Sequence, residues 1–168
     1  MGNDSGDTRR NSNQPSAQAP RRHLGKKRMG EVAELAFMHK AASLGFGVAK
    51  PYGDSHPFDL LLQHGRRLLR IQVKSVFASN PKNRWGYAVN VSQHRNMRCA
   101  FYSEDDIDFL AAYVAAHDAW YVIPVKSVST RKAINLYPAG KKKSTAGLFE
   151  QYREAWHLLK DETEGRSL

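Results

Sequence analysis

Two runs in which apolar and polar residues alternate, Phe58 to Gln63 and Leu68 to Val76, stand on either side of His64-Gly65-Arg66-Arg67. A period of two marks a half-buried strand, and a short polar connection containing glycine suits a hairpin turn. The pattern therefore predicts two antiparallel strands. In the second run Leu69, Ile71 and Val73 fall on one face and Arg70, Gln72 and Lys74 on the other. A polar trio inside a Leu/Ile/Val strand needs a reason. Asp59 begins the partner strand, so an acid, an amide and an amine can converge at one end of the hairpin.

The flanking chain predicts further elements. Met29 to Leu44 reads as a helix closed by Gly45, with Val32, Leu35, Phe37, Met38, Ala41 and Leu44 wrapping most of its circumference, which predicts cover on more than one side. Glu31 and Glu34 share one face of it; acids in a first turn complement the helix dipole, and Glu34 could simply pair with an arginine. Phe46 to Lys50 predicts a strand and Pro51 to Pro57 a loop carrying His56. Beyond the hairpin, Phe77 to Asn83 reads as a turn. Arg84 to Ser92 is a strand burying Trp85, Tyr87, Val89 and Val91, and Gln93 to Arg98 a polar loop. Ser103 with Glu104, Asp105 and Asp106 resembles a capped helical turn. Phe109 to Val114 and Trp120 to Val125 are buried strands, and Ala133 to Tyr137 an edge strand. Leu148, Phe149, Tyr152, Ala155, Trp156 and Leu159 form an apolar stripe on a closing helix from Ala146 to Lys160. The sum is a mixed α/β sheet covered by helices.

Composition narrows the partners. With 168 residues, 41% of them hydrophobic, there is material for one domain of ordinary size, residues 28–160. Residues 1–27 are polar and basic, too poor in apolar side chains to fold, and read as a disordered arm; residues 161–168 read as a polar tail. A formal charge of +10 implies an anionic partner. The single Cys99 excludes an internal disulfide framework, and with no histidine pair at ligand spacing zinc-finger readings fail. No run of about 18 apolar residues could span a bilayer, so no membrane association is expected and the cytoplasm is the expected compartment.

P-F-D at Pro57 to Asp59, followed across the hairpin by Q-V-K at Gln72 to Lys74, resembles the PD-(D/E)XK nuclease superfamily. The closer resemblance is to the group containing group I intron-encoded homing endonucleases, where Gln precedes the x-Lys. G-E-V-A-E-L-A at Gly30 to Ala36, Y-G-D at Tyr52 to Asp54, E-D-D-I-D-F-L-A-A-Y at Glu104 to Tyr113 and W-Y-V-I-P at Trp120 to Pro124 extend it from Met29 to Val128. The resemblance implies a restriction endonuclease-like core in α-β-β-β-α-β order and catalytic Glu34, Asp59, Gln72 and Lys74, with Glu31 the fallback for Glu34. Phosphodiester hydrolysis needs a nucleophilic water, charge neutralisation and help for the leaving alkoxide, all of which a hard cation such as Mg²⁺ or Mn²⁺ can assist. Asp59 would be the main ligand, with oxygens of Gln72, the Val73 carbonyl and Glu34 beside it. Lys74 would bind the attacking water or the developing phosphoryl charge. Gln in place of Glu removes one negative charge and so weakens metal binding.

Candidate DNA contacts are cations in predicted loops and strand ends: Lys26, Lys27, Arg28, Arg66, Arg67, Lys82, Arg84, Arg95, Lys141, Lys142 and Lys143. The expected function is a metal-dependent DNA endonuclease, homing or resolvase-like, that cuts double-stranded DNA as a homodimer or larger homo-oligomer. The rivals are a catalytically inactive DNA-binding protein of the same fold and an RNA-binding accessory protein. A plain cross-strand ion pair between Asp59 and Lys74 is the structural alternative for the constellation.

Overall fold

The computed structural model describes residues 25–53, 55–77, 86–95, 98–140 and 147–160, with His94 and Arg95 described by backbone alone. The tail 161–168 and most of the N-terminal arm lie outside these residues. Lys26 and Lys27, assigned to the arm from sequence, instead form the first turn of a helix, α1 (Lys26–Ser43). Three cations in that turn oppose the helix dipole. Because α1 starts before Met29, Glu31 and Glu34 lie beyond the first turn, and dipole compensation does not account for them. At the other end Gly45 sits at φ +90°. Its N–H donates to Ala42 O at 3.0 Å and that of Phe46 to Ala41 O at 3.1 Å, a Schellman closure that glycine accommodates without strain. One stripe of α1 is buried, Ala33, Phe37 and Ala41, while Val32 and Leu35 face solvent. The helix is thus covered on one side, narrower than the sequence suggested.

The main sheet has five strands: β1 (Gly47–Ala49), β2 (Leu60–His64), β3 (Arg67–Val76), β7 (Phe109–Val114) and β8 (Ala119–Pro124), in the order β1-β2-β3-β7-β8. Only the β3–β7 pair is parallel. The hairpin turn is Gly65-Arg66, since His64 pairs with Arg67, and Gly65 supplies φ +57°. On one face of the sheet Leu60, Leu62, Leu69, Ile71, Val73, Phe109 and Val122 pack with Phe37 of α1 and with Trp120, Trp156 and Leu159. On the other, Leu110, Ala112, Val114, Tyr121 and Ile123 meet a second apolar layer that includes Val89, Val91, Tyr102, Ile134 and Leu136. Strands β7 and β8 are buried on both faces, which is why they read as continuous apolar runs rather than alternating ones. β3 alternates because its second face carries Arg70, Gln72 and Lys74.

Two small sheets support that second face. β4 (Tyr87–Asn90) pairs with β9 (Ala133–Leu136), so β9 does not extend the main sheet. β5 (Ser92–Arg95) pairs with β6 (Arg98–Phe101), replacing the polar loop expected over Gln93 to Arg98 with a hairpin. β4, β5 and β6 stand between β3 and β7 in the chain, where the α-β-β-β-α-β order places a helix; no second α-helix occurs among the described residues.

The closing helix is also absent. Glu150–Tyr152 and Trp156–Leu159 are short 3-10 turns, separated by an extended Arg153 and by Glu154 at φ +49°. The reason is the open edge of β8. Arg153 bridges Tyr121, the Glu154 N–H donates to Trp120 O at 2.8 Å, and Trp120 N–H donates to Glu154 Oε1 at 2.8 Å. An extended segment satisfies edge groups that a helix cannot. It also sends Phe149 to one core and Trp156 and Leu159 to the other.

Phe37 anchors α1 to the sheet, its ring 5.3 Å from Trp120 and 5.4 Å from Trp156. Phe37→Ala is expected to cost about 3 to 5 kcal/mol of stability in urea unfolding.

Candidate active site

The β2–β3 ladder ends at the pair Leu60↔Ile71, whereas β3 continues to Val76 alongside β7. Past Ile71 the β2 side of β3 has no strand partner among the described residues, and Asp59 takes the strand's place. Its N–H donates to Ile71 O at 2.9 Å, and its Oδ2 accepts the Val73 N–H at 2.7 Å and Gln72 Nε2 at 2.5 Å. Gln72 is buried, 9% exposed, and the same amide nitrogen reaches Val73 O at 3.3 Å. Two oxygens, a carboxylate and a main-chain carbonyl, thus converge on one amide N–H group. Burial is the main force pushing the Asp59 carboxyl up to about 6, with the Glu34 charge adding to it and the Val73 N–H, Lys74 and Lys50 opposing it.

Lys74 lies two residues beyond Gln72 on the same strand face. Burial draws its ammonium below the ordinary lysine value, and the Asp59 charge partly restores it. No ion pair joins Lys74 to Asp59 among the described residues, so the simple cross-strand salt bridge is not what the geometry shows. Nζ instead stands 5.6 Å from the ring centroid of Tyr102.

Glu34 reaches the site from α1. Its Oε2 accepts from Lys50 Nζ at 2.6 Å, and Lys50, just past β1, is raised above the usual lysine range first by that hydrogen bond. The partner is a lysine, not the arginine considered from sequence. Glu31, Glu34, Lys50, His56, Asp59 and Lys27 line a cleft of about 300 Å³. Lys50 and Tyr102 were not among the sequence candidates. Lys50 follows a three-residue strand with no pattern to mark it, and Tyr102 reads as one more apolar residue after Phe101.

Among the described residues no three His, Cys, Asp or Glu side chains form a metal cluster. The donors at hand are two carboxylates, Asp59 and Glu34, with an amide and a main-chain carbonyl. An all-oxygen set with few charges fits a hard cation that keeps several of its own waters, as Mg²⁺ does, and does not fit zinc.

The acids after β6 have other work. Asp106 accepts from Ser103 N and Oγ, each at 3.0 Å, and from Gln93 Nε2 at 3.1 Å. Asp108 accepts from Arg70 N at 2.7 Å, Nε at 3.1 Å and a terminal guanidinium nitrogen at 3.0 Å. The same guanidinium donates to the carbonyls of Glu104 and Asp105. Arg70 is therefore turned away from Gln72 and Lys74 into a cap over the start of β7.

Of the candidate DNA contacts, Lys26, Lys27 and Arg28 are exposed at the start of α1, and Arg66 is exposed in the hairpin turn. Arg67 is engaged within the chain: its guanidinium donates to Leu158 O at 2.9 Å and Lys160 O at 3.0 Å and lies over the Phe109 ring, holding down the C-terminal segment. Lys82, Arg84, Lys141, Lys142 and Lys143 and the side chain of Arg95 lie outside the described residues.

An α1–β1–β2–β3 unit with β7 parallel to β3, and an Asp opposite a Gln-x-Lys at the end of the hairpin, defines a restriction endonuclease-like core. The PD-(D/E)XK endonuclease family matches the chain over residues 24–159, and the chain belongs to that family. A solved structure of a bacterial homing endonuclease, I-Ssp6803I, superposes with a TM-score of 0.73 at 32% sequence identity, covering 85% of this chain and 98% of that one. No curated protein matches the chain.

The raised Asp59 carboxyl has a signed consequence. The unfolded chain loses this proton near the ordinary value of 3.8 and the folded chain near 6, so the folded state holds the extra proton between them. The associated stability is complete below 3.8 and is lost as pH rises through about 6. Asp59→Asn keeps both acceptor contacts without the charge. It is expected to stabilise the chain by about 2 to 3 kcal/mol near neutral pH and to be close to neutral at about pH 4, read from urea unfolding at both.

Proposed function

We propose that this PD-(D/E)XK endonuclease is a divalent-metal-dependent enzyme that hydrolyses phosphodiester bonds of double-stranded DNA, with a site formed by Glu34, Asp59, Gln72, the Val73 carbonyl and Lys74. One observation carries the reading. The Asp59 carboxylate and the Val73 carbonyl meet at the Gln72 amide nitrogen, and Lys74 is the next residue of β3 after Val73. In that place Mg²⁺ or Mn²⁺ would be held by Asp59, the Val73 carbonyl and Glu34, with the Gln72 amide turned so that its oxygen replaces the nitrogen now facing Asp59, and would supply charge neutralisation at phosphorus and an acidified water. Asp59 and Glu34 fix the negative potential of the cleft. Lys74, half-buried and carrying three donors on a compact charge, makes no ion pair among the described residues and binds a phosphoryl oxygen or the attacking water.

The formal charge of +10 and the exposed Lys26, Lys27, Arg28 and Arg66 supply phosphate contacts that add salt-dependent affinity without reading sequence. The named homing endonuclease, similar over nearly its whole length, supports a homing role; action as a homodimer or larger homo-oligomer belongs to the same reading because both strands of a duplex have to be cut. A second reading, a DNA-binding protein of this fold without activity, draws on the Gln72 amide nitrogen that satisfies Asp59 internally.

The two readings part in a nicking assay on supercoiled plasmid with Mg²⁺ or Mn²⁺. Asp59→Ala and Lys74→Ala are each expected to lose at least about 100-fold in rate while retaining DNA binding. No metal-dependent nicking by the native chain, with DNA binding intact, selects the inactive module. Gln72→Glu restores an acid. It is expected to tighten Mn²⁺ binding by roughly tenfold or more in calorimetric titration, and to lower the melting temperature without metal because two carboxylates then face each other.

A further inference from the structure

Lys74 ends a flexible four-carbon stem, and its place at the site depends on what holds its ammonium. Asp59 acts on it only through its charge, with its Oδ2 engaged by the Val73 N–H and the Gln72 amide. Among the described residues Lys74 Nζ makes neither a hydrogen bond nor an ion pair. What lies against it is an aromatic face, with Nζ 5.6 Å from the ring centroid of Tyr102.

Tyr102 is 3% exposed and follows β6 directly. Its ring belongs to the apolar layer with Val91, Ile107 and Leu110, on the side of the sheet that Gln72 and Lys74 face. The following residue is fixed as well, because Ser103 N–H donates to the buried Asp106 at 3.0 Å. The ring is thus buried and its chain neighbour held, and a ring face attracts a cation most strongly where water is excluded.

We propose that Tyr102 is a positioning residue for Lys74, its ring face orienting the ammonium toward the point where the Asp59 and Val73 oxygens meet. The inference rests on the nuclease reading for its effect on rate, but the contact itself can be measured without cleavage. It explains how β5, β6 and the turn after them contribute to a site whose named residues all lie elsewhere. The π face is the working part, so phenylalanine suffices and an aliphatic side chain does not.

The test compares the full chain with Tyr102→Phe, Tyr102→Leu and Tyr102→Met, the methionine covering a leucine variant that fails to fold. An upfield ring-current shift of the Lys74 ε-methylene protons, seen by NMR without metal or DNA, is expected in the native chain and in Tyr102→Phe and is expected to vanish in the aliphatic variants. Single-turnover nicking is expected to fall about 3- to 30-fold in the aliphatic variants and to stay within about twofold in Tyr102→Phe, with the Kd for DNA unchanged in all. A native chain without the ring-current shift overturns the proposal, whichever variants fold. So does an aliphatic variant that nicks at the native rate, or a phenylalanine variant as slow as leucine. A native chain that shows the shift but never nicks overturns the nuclease reading instead, and leaves the contact between ring and ammonium standing.

Discussion

Everything at the polar end of this sheet follows from one mismatch of strand lengths. β3 runs on beyond the last residue of β2 that pairs with it, so the Val73 N–H and carbonyl emerge where a partner strand would have been. Buried main-chain groups need partners. Asp59, the residue before β2, covers the N–H with its carboxylate, and the Val73 carbonyl is left to the Gln72 amide. The geometry that completes the sheet is the same geometry that brings two oxygens to one point. Stability and chemistry are opposed here, because the carboxylate that caps the strand is too buried to ionise at its ordinary value.

The charges around that carboxylate come from three separate parts of the fold. Glu34 arrives on α1, Lys74 on β3, and Lys50 from the end of β1. Lys50 pairs with Glu34 on the rim of the cleft, so one acid of the site is matched internally while Asp59 is matched by main-chain and amide hydrogens. With Lys50 exposed and Glu34 half-buried on the rim, the pair adds only modestly to stability, and its cation can be exchanged for another. The half-buried Asp59 is the costly member, and its environment is the one that any bound cation would relieve.

The basic residues divide by their neighbours rather than by their number. Arg67 and Arg70 sit on the same strand as Gln72, yet each has a structural task. Arg67 ties the C-terminal segment to the hairpin, and Arg70 caps the turn before β7 through Asp108. Lys26, Lys27 and Arg28 oppose the dipole of the helix they begin, an arrangement that suits an anion approaching from outside better than it suits the isolated helix.

Much of this was legible in the residues themselves. A period of two fixes which side of a strand a residue takes, so the split of Leu69, Ile71 and Val73 from Arg70, Gln72 and Lys74 was readable directly, as were the hairpin, the glycine stop after α1 and the buried pair β7 and β8. Local pattern failed where long-range demands prevailed. The apolar stripe from Leu148 to Leu159 has helical spacing, but the open edge of β8 required an extended segment and two cores on opposite faces required its side chains. The polar stretch after Ser92 paired as a hairpin, and Arg67 found carbonyls about ninety residues away. Lys50 and Tyr102 carry no mark in sequence, because what matters about each is a neighbour brought from another strand or helix. The chain alone determined which residues could serve such a site; only the tertiary structure decided which of them meet, since meeting depends on strand lengths and edges that no local period encodes.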